Sequence, residues 1–204
     1  MIIVDVETTG IDSKENSFIE IGAIDFENPQ NRFYVDCQAR PDCKISDYAL
    51  ELNGHTEESL YDSSKPSQKE ALNLFNNWLK TCKKDITIIG ENPRFDLNFL
   101  IQGYHDCKVS SPFGYRTIDL HSLVVDYHLR NNLKVPVKSN DEGFNSSAIN
   151  SNFIMDFVGI PREPHPHNSL NGAIYEAEAF SRIIYGKNLL SEFSKQKIPE
   201  YLKR

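Results

Sequence analysis

"IIVDVETTG", residues 2–10, joins a short run rich in β-branched residues to two acids, Asp5 and Glu7, and then to a Thr-Thr-Gly turn. Such a run bounded by turn residues reads as a buried central strand. Side chains alternate along a strand, so two acids two residues apart leave the same face. Inside an apolar strand that is costly unless the pair shares a proton or is neutralised by a cation. The plainer alternative is a strand that frays at Asp5, with both acids solvated at a turn.

Working outward, "SFIEIGAIDFE" (17–27) and "RFYVDC" (32–37), separated by "NPQN", read as a hairpin or meander beside this strand. The sheet therefore begins antiparallel. "SQKEALNLFNNWLKTC" (67–82) sets Ala71, Leu74, Phe75, Trp78 and Leu79 on one helical face, and "DITIIG" (85–90) returns as a strand. A strand reached through a helical crossover adds a parallel component. "RFDLNFLIQGY" (94–104) is a short apolar helix, 115–129 a brief strand or turn entering another, and 146–160 one more. The last long helix runs from about Ser169 to Tyr185. Residues 131–147 are polar and aperiodic, a candidate mobile loop over a site. The tail from Gly186 carries Lys187, Lys195, Lys197, Lys203 and Arg204 against Glu192 and Glu200, which a solvated face explains as well as a ligand does. No internal repeat is visible.

The 204 residues, 39% of them hydrophobic, suffice for one substantial core and suggest one domain. Lys and Arg number 22 against 29 Asp and Glu, a net charge of -7, so no global positive field draws the chain to nucleic acid or anionic membrane. Any phosphate ligand must be handled locally. Cys37, Cys43, Cys82 and Cys107 form no CxxC pair and read as free thiols. The opening residues do not resemble a signal peptide, and no apolar run approaches the roughly 20 residues of a membrane span. The expectation is a soluble, cytoplasmic protein.

A second embedded acid is Asp96, between Phe95 and Leu97 at the start of an apolar helix. The helix dipole tolerates an acid there. Two such acids, with His167 at a loop-to-helix junction, point instead to hard divalent cations such as Mg²⁺ or Mn²⁺, which take oxygen ligands and often sit between carboxylates and substrate phosphates. That suits two-metal phosphodiester hydrolysis.

"VDVETTG" (4–10), "ENPRFDLNFL" (91–100) and "HNSLNGA" (167–173) resemble, in order and spacing, the three motifs of the DnaQ-like (DEDDh) superfamily of 3′-to-5′ exonucleases, which includes polymerase proofreading subunits. Between the first two, "ALELNGHTEESL" (49–60) looks like the segment that braces a 3′-terminal nucleotide. The resemblance covers residues 1–185 and leaves 186–204 as a tail on or beside the same domain. It implies an α/β, ribonuclease H-like exonuclease fold, a mixed β-sheet flanked by α-helices. It further implies that Asp5 bridges two metal ions, Glu7 ligates one, Asp96 assists through waters, and His167 is the general base. Two ions about 4 Å apart would stabilise both the entering and the leaving oxygen. Implied substrate contacts are Thr8, Thr9 and Gly10 near the terminal phosphate and sugar, and Leu52, Asn53 and Gly54 near the terminal base. Phe95 could stack on a base, although a core role fits its neighbours Leu97 and Phe99 better. Asp119 and His55 read as structural, the latter as a turn residue. Nucleic acid 3′ ends, DNA or RNA, are the implied partner, with a polymerase or a second copy as further candidates.

One position departs. Five residues after the histidine the superfamily has a metal-site aspartate, and here stands Gly172. Three explanations compete. Glu176, one turn on and leaning toward the N-terminus, substitutes as a ligand; the site works with three carboxylates plus water or the Asn171 amide; or hydrolysis is lost and a nucleic-acid-binding module remains.

Overall fold

Five strands, β1 (Ile2–Thr8), β2 (Phe18–Asp25), β3 (Arg32–Asp36), β4 (Ile88–Gly90) and β5 (Thr117–Asp119), form one sheet in the order β3-β2-β1-β4-β5. The computed structural model describes residues 1–83 and 85–203, so the Arg204 of the basic tail lies outside the described residues. β1, β2 and β3 pair antiparallel, while β4 and β5 run parallel to β1. The helices are α1 (Asp47–Asn53), α2 (Gln68–Leu79), α3 (Pro93–Asp106), α4 (Leu120–Arg130), α5 (Ser151–Val158) and α6 (Ser169–Tyr185).

The alternation in β1 decides which layer each residue joins. Ile2, Val4 and Val6 face α2 and α3, packing with Phe75, Leu97 and Leu100, whereas Ile3 faces α6 with Ile24 and Ile89. Burying each such aliphatic side chain contributes roughly 1.5–3 kcal/mol. By the same period, Asp5 and Glu7 follow Ile3 onto the α6 face.

α6 lies directly on the strands because glycine permits it. Gly22 pairs with Asp5 across the β1–β2 ladder, and a Cβ there would stand 2.1 Å from the Ser169 carbonyl carbon. The N-terminus of α6 is also tied down chemically. Oε2 of Glu20, a buried acid on β2, accepts hydrogen bonds from the Ser169 amide (3.1 Å) and hydroxyl (3.2 Å) and from Asn168 Nδ2 (3.0 Å). A carboxylate at a helix N-terminus is favoured by the helix dipole.

Three expectations need correction. Leu74 is 50% exposed, and Leu72 and Gln68 are buried on α2 in its place. With 100° per residue the buried stripe centres near Phe75, which leaves Leu74 on its flank. Residues 131–147 are not wholly irregular, since Val137–Ser139 (β6) and Asn145–Ser147 (β7) pair as a small antiparallel hairpin. Its residues are mostly exposed on both faces, so no alternation marked them. This pairing also delays the next helix, α5, until Asn150 caps it at Ser151. His55 does more than turn the chain: Nε2 bonds Glu20 Oε1 at 3.0 Å and Nδ1 bonds Ser59 Oγ at 3.2 Å.

The tail folds back onto the α6 side, where Leu190, Phe193 and Leu202 are buried with α5 and α6. Arg182, fully buried on α6, binds the carbonyls of Val158, Gly159, Phe193 and Gln196 and pairs with Glu178 at 2.7 Å. All four cysteines are free. No helix of the described residues is long and apolar enough to cross a membrane.

Candidate active site

A cleft of about 710 Å³ opens where β1 outruns its parallel neighbour. β1 pairs with β4 only through Ile2 and Ile3, so the Val6 amide has no partner on that side. Asp96, in the first turn of α3, accepts it at 3.0 Å and is thereby drawn to the acids of β1. Asn92 in a left-handed conformation (φ 51°) and Pro93 at the first helical position aim this helix start at the strand.

Asp5, Glu7, Asp96, Glu176 and His167 all line this cleft. Gly172 sits against Asp5, whose Oδ2 would lie 2.2 Å from a Cβ added there. The carboxylate of Asp5 thus leans into the space the glycine leaves. One turn on, Glu176 is buried with its carboxylate at the end of β4, Oε1 accepting the Glu91 amide at 2.9 Å and Oε2, 3.1 Å from where a Gly90 Cβ would stand, buried without a hydrogen-bond partner.

Electrostatics follow from this crowding. Burial first, then the charges of Asp96, Glu176 and Glu7, push the Asp5 carboxyl well above its ordinary range. Burial and the neighbouring Glu20 raise Glu7 to about 8. Asp96 rises to about 7, chiefly through burial, although the Val6 amide pulls it down. Glu176 is raised strongly by burial and by Asp96. Lys44 is the lysine lining the cleft among the described residues, and its ammonium is 2.8 Å from Glu15. His167 is held below its ordinary value by burial and by His165, which favours the neutral imidazole.

These shifts fix a pH dependence. Carboxyls that are harder to ionise when folded stabilise the fold at low pH and lose that contribution as pH climbs through their raised values. The metal-free protein is therefore expected to melt at a lower temperature at pH 8 than at about pH 5.5, the span from ordinary carboxylates to the value of about 8 for Glu7. Saturating Mn²⁺ should narrow the gap. Equal melting temperatures by calorimetry without metal would show that burial and crowding do not hold these carboxyls above their ordinary range.

Other expected contacts separate into two groups. Thr8, Gly10, Leu52, Asn53 and Phe95 line the cleft. Asn53 is committed to bracing, with Nδ2 donating to the Thr8 carbonyl at 3.1 Å, and the Leu52 carbonyl accepts the His167 amide at 2.9 Å. Phe95 is half-buried, tilted on Phe99 at 4.9 Å between centroids. Thr9 and Gly54 stand outside the cleft wall. The Thr9 amide donates to Ser17 and its hydroxyl to Lys44, whereas Gly54 (φ 73°) ends α1 beside Pro166. Asp119 caps α4, accepting from the His121 amide at 3.0 Å.

Sequence reasoning passed over Glu163, Glu91 and Glu20. Glu163 and Glu91 line the cleft, and burial raises each to about 7. Glu20 is an acid in an apolar strand, the same signal that singled out Asp5. Although burial pulls it upward, hydrogen bonds from His55 and the Ser169 amide hold it below its ordinary value. Glu20, Asp36 and His55 bring three potential ligand atoms within 4.8 Å of one another. Glu20 is saturated by its donors and Asp36 is paired with Lys65 at 2.9 Å, so this set is a structural junction.

The acids of the cleft offer carboxylate oxygens, the ligands that hard divalent cations prefer. Glu176 Oε2 is buried without a hydrogen-bond partner, and although no three of these acids bring ligand atoms within 4.8 Å of one another among the described residues, their oxygen chemistry fits Mg²⁺ or Mn²⁺.

A mixed sheet whose central strand carries two carboxylates into a helix-lined cleft is the ribonuclease H-like exonuclease architecture. The chain belongs to the RNase_T exonuclease family, whose model matches residues 2–141, and so to the DnaQ-like superfamily. That match holds the first two motifs, and the third lies beyond it. A stretch of 103 residues is 28% identical to DNA polymerase III PolC-type of Staphylococcus aureus (strain bovine RF122), and 99 residues are 33% identical to the PolC-type polymerase of Thermotoga maritima. These stretches are 50% and 48% of this chain and 7% of either polymerase. The fold matches cell-death related nuclease 4 with a TM-score of 0.70 at 15% identity, over 92% of this chain and 64% of that one. It matches the nuclease domain of 3′hExo, a DEDDh family member bound to rAMP, with a TM-score of 0.67 at 15% identity, over 98% and 95%. For E. coli exonuclease I in complex with a dA16 oligonucleotide the TM-score is 0.66 at 18% identity, over 91% and 40%. At such identities the likeness speaks for the fold.

Proposed function

We propose that this chain is a metal-dependent exonuclease that removes nucleotides from the 3′ end of DNA or RNA and releases nucleoside 5′-monophosphates. The observation that carries the reading is the convergence of Asp5, Glu7, Asp96 and Glu176 with His167 on one cleft, where burial and mutual repulsion leave the acids short of positive charge. Asp5, Glu7, Asp96 and Glu176 would hold two Mg²⁺ or Mn²⁺ ions. Such ions, when bound, neutralise charge on phosphate oxygens and acidify water.

The chain's own groups supply the rest. His167, neutral near pH 7, accepts a proton from the attacking water. Thr8 and Gly10 border the terminal phosphate and sugar, and Leu52 the terminal base, with Asn53 holding that segment to β1. The exposed part of the Phe95 ring offers a stacking face, which favours single-stranded ends without sequence preference. Glu176 takes over the ligand role that Gly172 cannot fill. The likeness to PolC-type polymerases makes a polymerase a candidate partner.

The test is a matched panel of single-stranded and duplex DNA and RNA, with free or blocked 3′ ends, incubated with Mg²⁺ or Mn²⁺. Shortening from free 3′ ends with release of monophosphates is expected. Glu176→Ala should raise the Mn²⁺ concentration for half-maximal activity at least roughly tenfold, about 1.4 kcal/mol of binding. An unchanged metal titration removes Glu176 from the ligand set. Retention of oligonucleotide with no cleavage under any metal would replace the enzyme by a binding module.

A further inference from the structure

Glu163 belongs to none of the motifs and lies on the loop joining α5 to α6, four residues before His167. Its side chain is 13% exposed, lines the cleft, and places Oε2 3.7 Å from His167 Nδ1. Its other oxygen is tethered, Oε1 accepting the Asn168 amide at 3.4 Å. The imidazole is held from two further directions. The His165 ring stacks on it at 4.7 Å and 28°, and the His167 amide is fixed to the Leu52 carbonyl at 2.9 Å.

We propose that Glu163 is the positioning residue for His167, orienting the ring and selecting the tautomer that carries its hydrogen on Nδ1. The inference rests on the reading of His167 as the general base. A separation of 3.7 Å is an ion-pair distance, longer than a hydrogen bond, and such contacts tighten when substrate closes a site. With Nδ1–H turned toward a carboxylate, the lone pair left for catalysis is on Nε2. In the hydrolytic step the O–H bond of water breaks as Nε2–H forms, and the water oxygen bonds to phosphorus. The P–O3′ bond then breaks with its electron pair on O3′, which takes a proton from solvent. Above about pH 7, where its carboxyl is ionised, Glu163 faces the imidazolium that appears during this step and stabilises its charge. The same carboxylate shapes the loop, since the Asn168 it holds is the N-cap of α6.

The test reads the ring directly. In ¹⁵N-histidine spectra of the metal-free protein, with His167 assigned by comparison with His167→Gln, the native chain should show Nδ1–H. Glu163→Ala should shift His167 toward Nε2–H, and Glu163→Gln, whose amide oxygen still accepts, should restore the native pattern. In the oligonucleotide assay Glu163→Ala should lower kcat roughly ten- to hundredfold, the scale seen on losing the carboxylate behind a metal-bound imidazole. KM and Mn²⁺ affinity by calorimetry should stay near native values. An unchanged tautomer in Glu163→Ala overturns the proposal. So does a fall in Mn²⁺ affinity matching that of an Asp5 variant, which would make Glu163 a ligand instead. Because the spectra need neither metal nor substrate, they decide on Glu163 even if the protein proves inert as a nuclease.

Discussion

Asp5→Asn should lower the rate of 3′-end hydrolysis by roughly a thousandfold or more, about 4 kcal/mol in activation free energy, while the protein stays folded. The substitution keeps the shape of a side chain that leans on Gly172 and removes the charge surrounded by Asp96, Glu176 and Glu7. Without metal, that charge is a source of repulsion, so the melting temperature should hold or rise. The stabilisation normally gained from Mn²⁺ should largely vanish. Initial rates on a 3′-labelled strand and melting curves with and without Mn²⁺ separate these effects. A variant that cleaves within tenfold of the native rate would remove Asp5 from the chemistry.

Arg182→Met should cost roughly 3–5 kcal/mol, the usual penalty for stripping one partner from a buried ion pair. Glu178 and Arg182 are both fully buried, and Glu178 Oε2 also accepts the Leu189 and Leu190 amides at 2.9 Å. Removing the guanidinium strands a carboxylate in the core and frees four carbonyls from α5 and the tail. Against a typical stability of roughly 5–15 kcal/mol this is a large share. Urea unfolding measures it, and limited proteolysis should find the tail after Gly186 newly accessible. Combining the change with Glu178→Leu should recover part of the loss, since the orphaned charge is removed as well. A deficit under about 1 kcal/mol would mean the pair is not what fastens the tail.

Elements with at least one buried face could be read from sequence. β1 announced itself by its apolar run and α6 by its helical stretch from Ser169 to Tyr185, whose ends the structure explains by the Asn168 cap and the left-handed Gly186. Where both faces meet water, as in β6 and β7, the pattern is silent. Acids in apolar company were equally readable, which is why Asp5, Glu7 and Asp96 stood out. Glu20 carries the same signature and was missed because no motif claimed it. Glu163 could not be found this way: its neighbours Arg162, Pro164 and His165 are ordinary loop residues, and only the folded loop brings its carboxylate to the imidazole. Thr9 shows the converse, a motif residue whose amide and hydroxyl are spent holding the chain that follows β1.

The Glu20 junction has a wider consequence. Its two oxygens grip His55, just after the stretch proposed to flank a terminal base, and the start of the helix behind His167. Fit and reactivity thus hang from one peg, and any redesign that slides one must drag the other along. Whoever wishes to alter the preferred sugar or base would do well to work at Ile11 or Tyr48, exposed on the outer lip, where the wall can change without disturbing that peg.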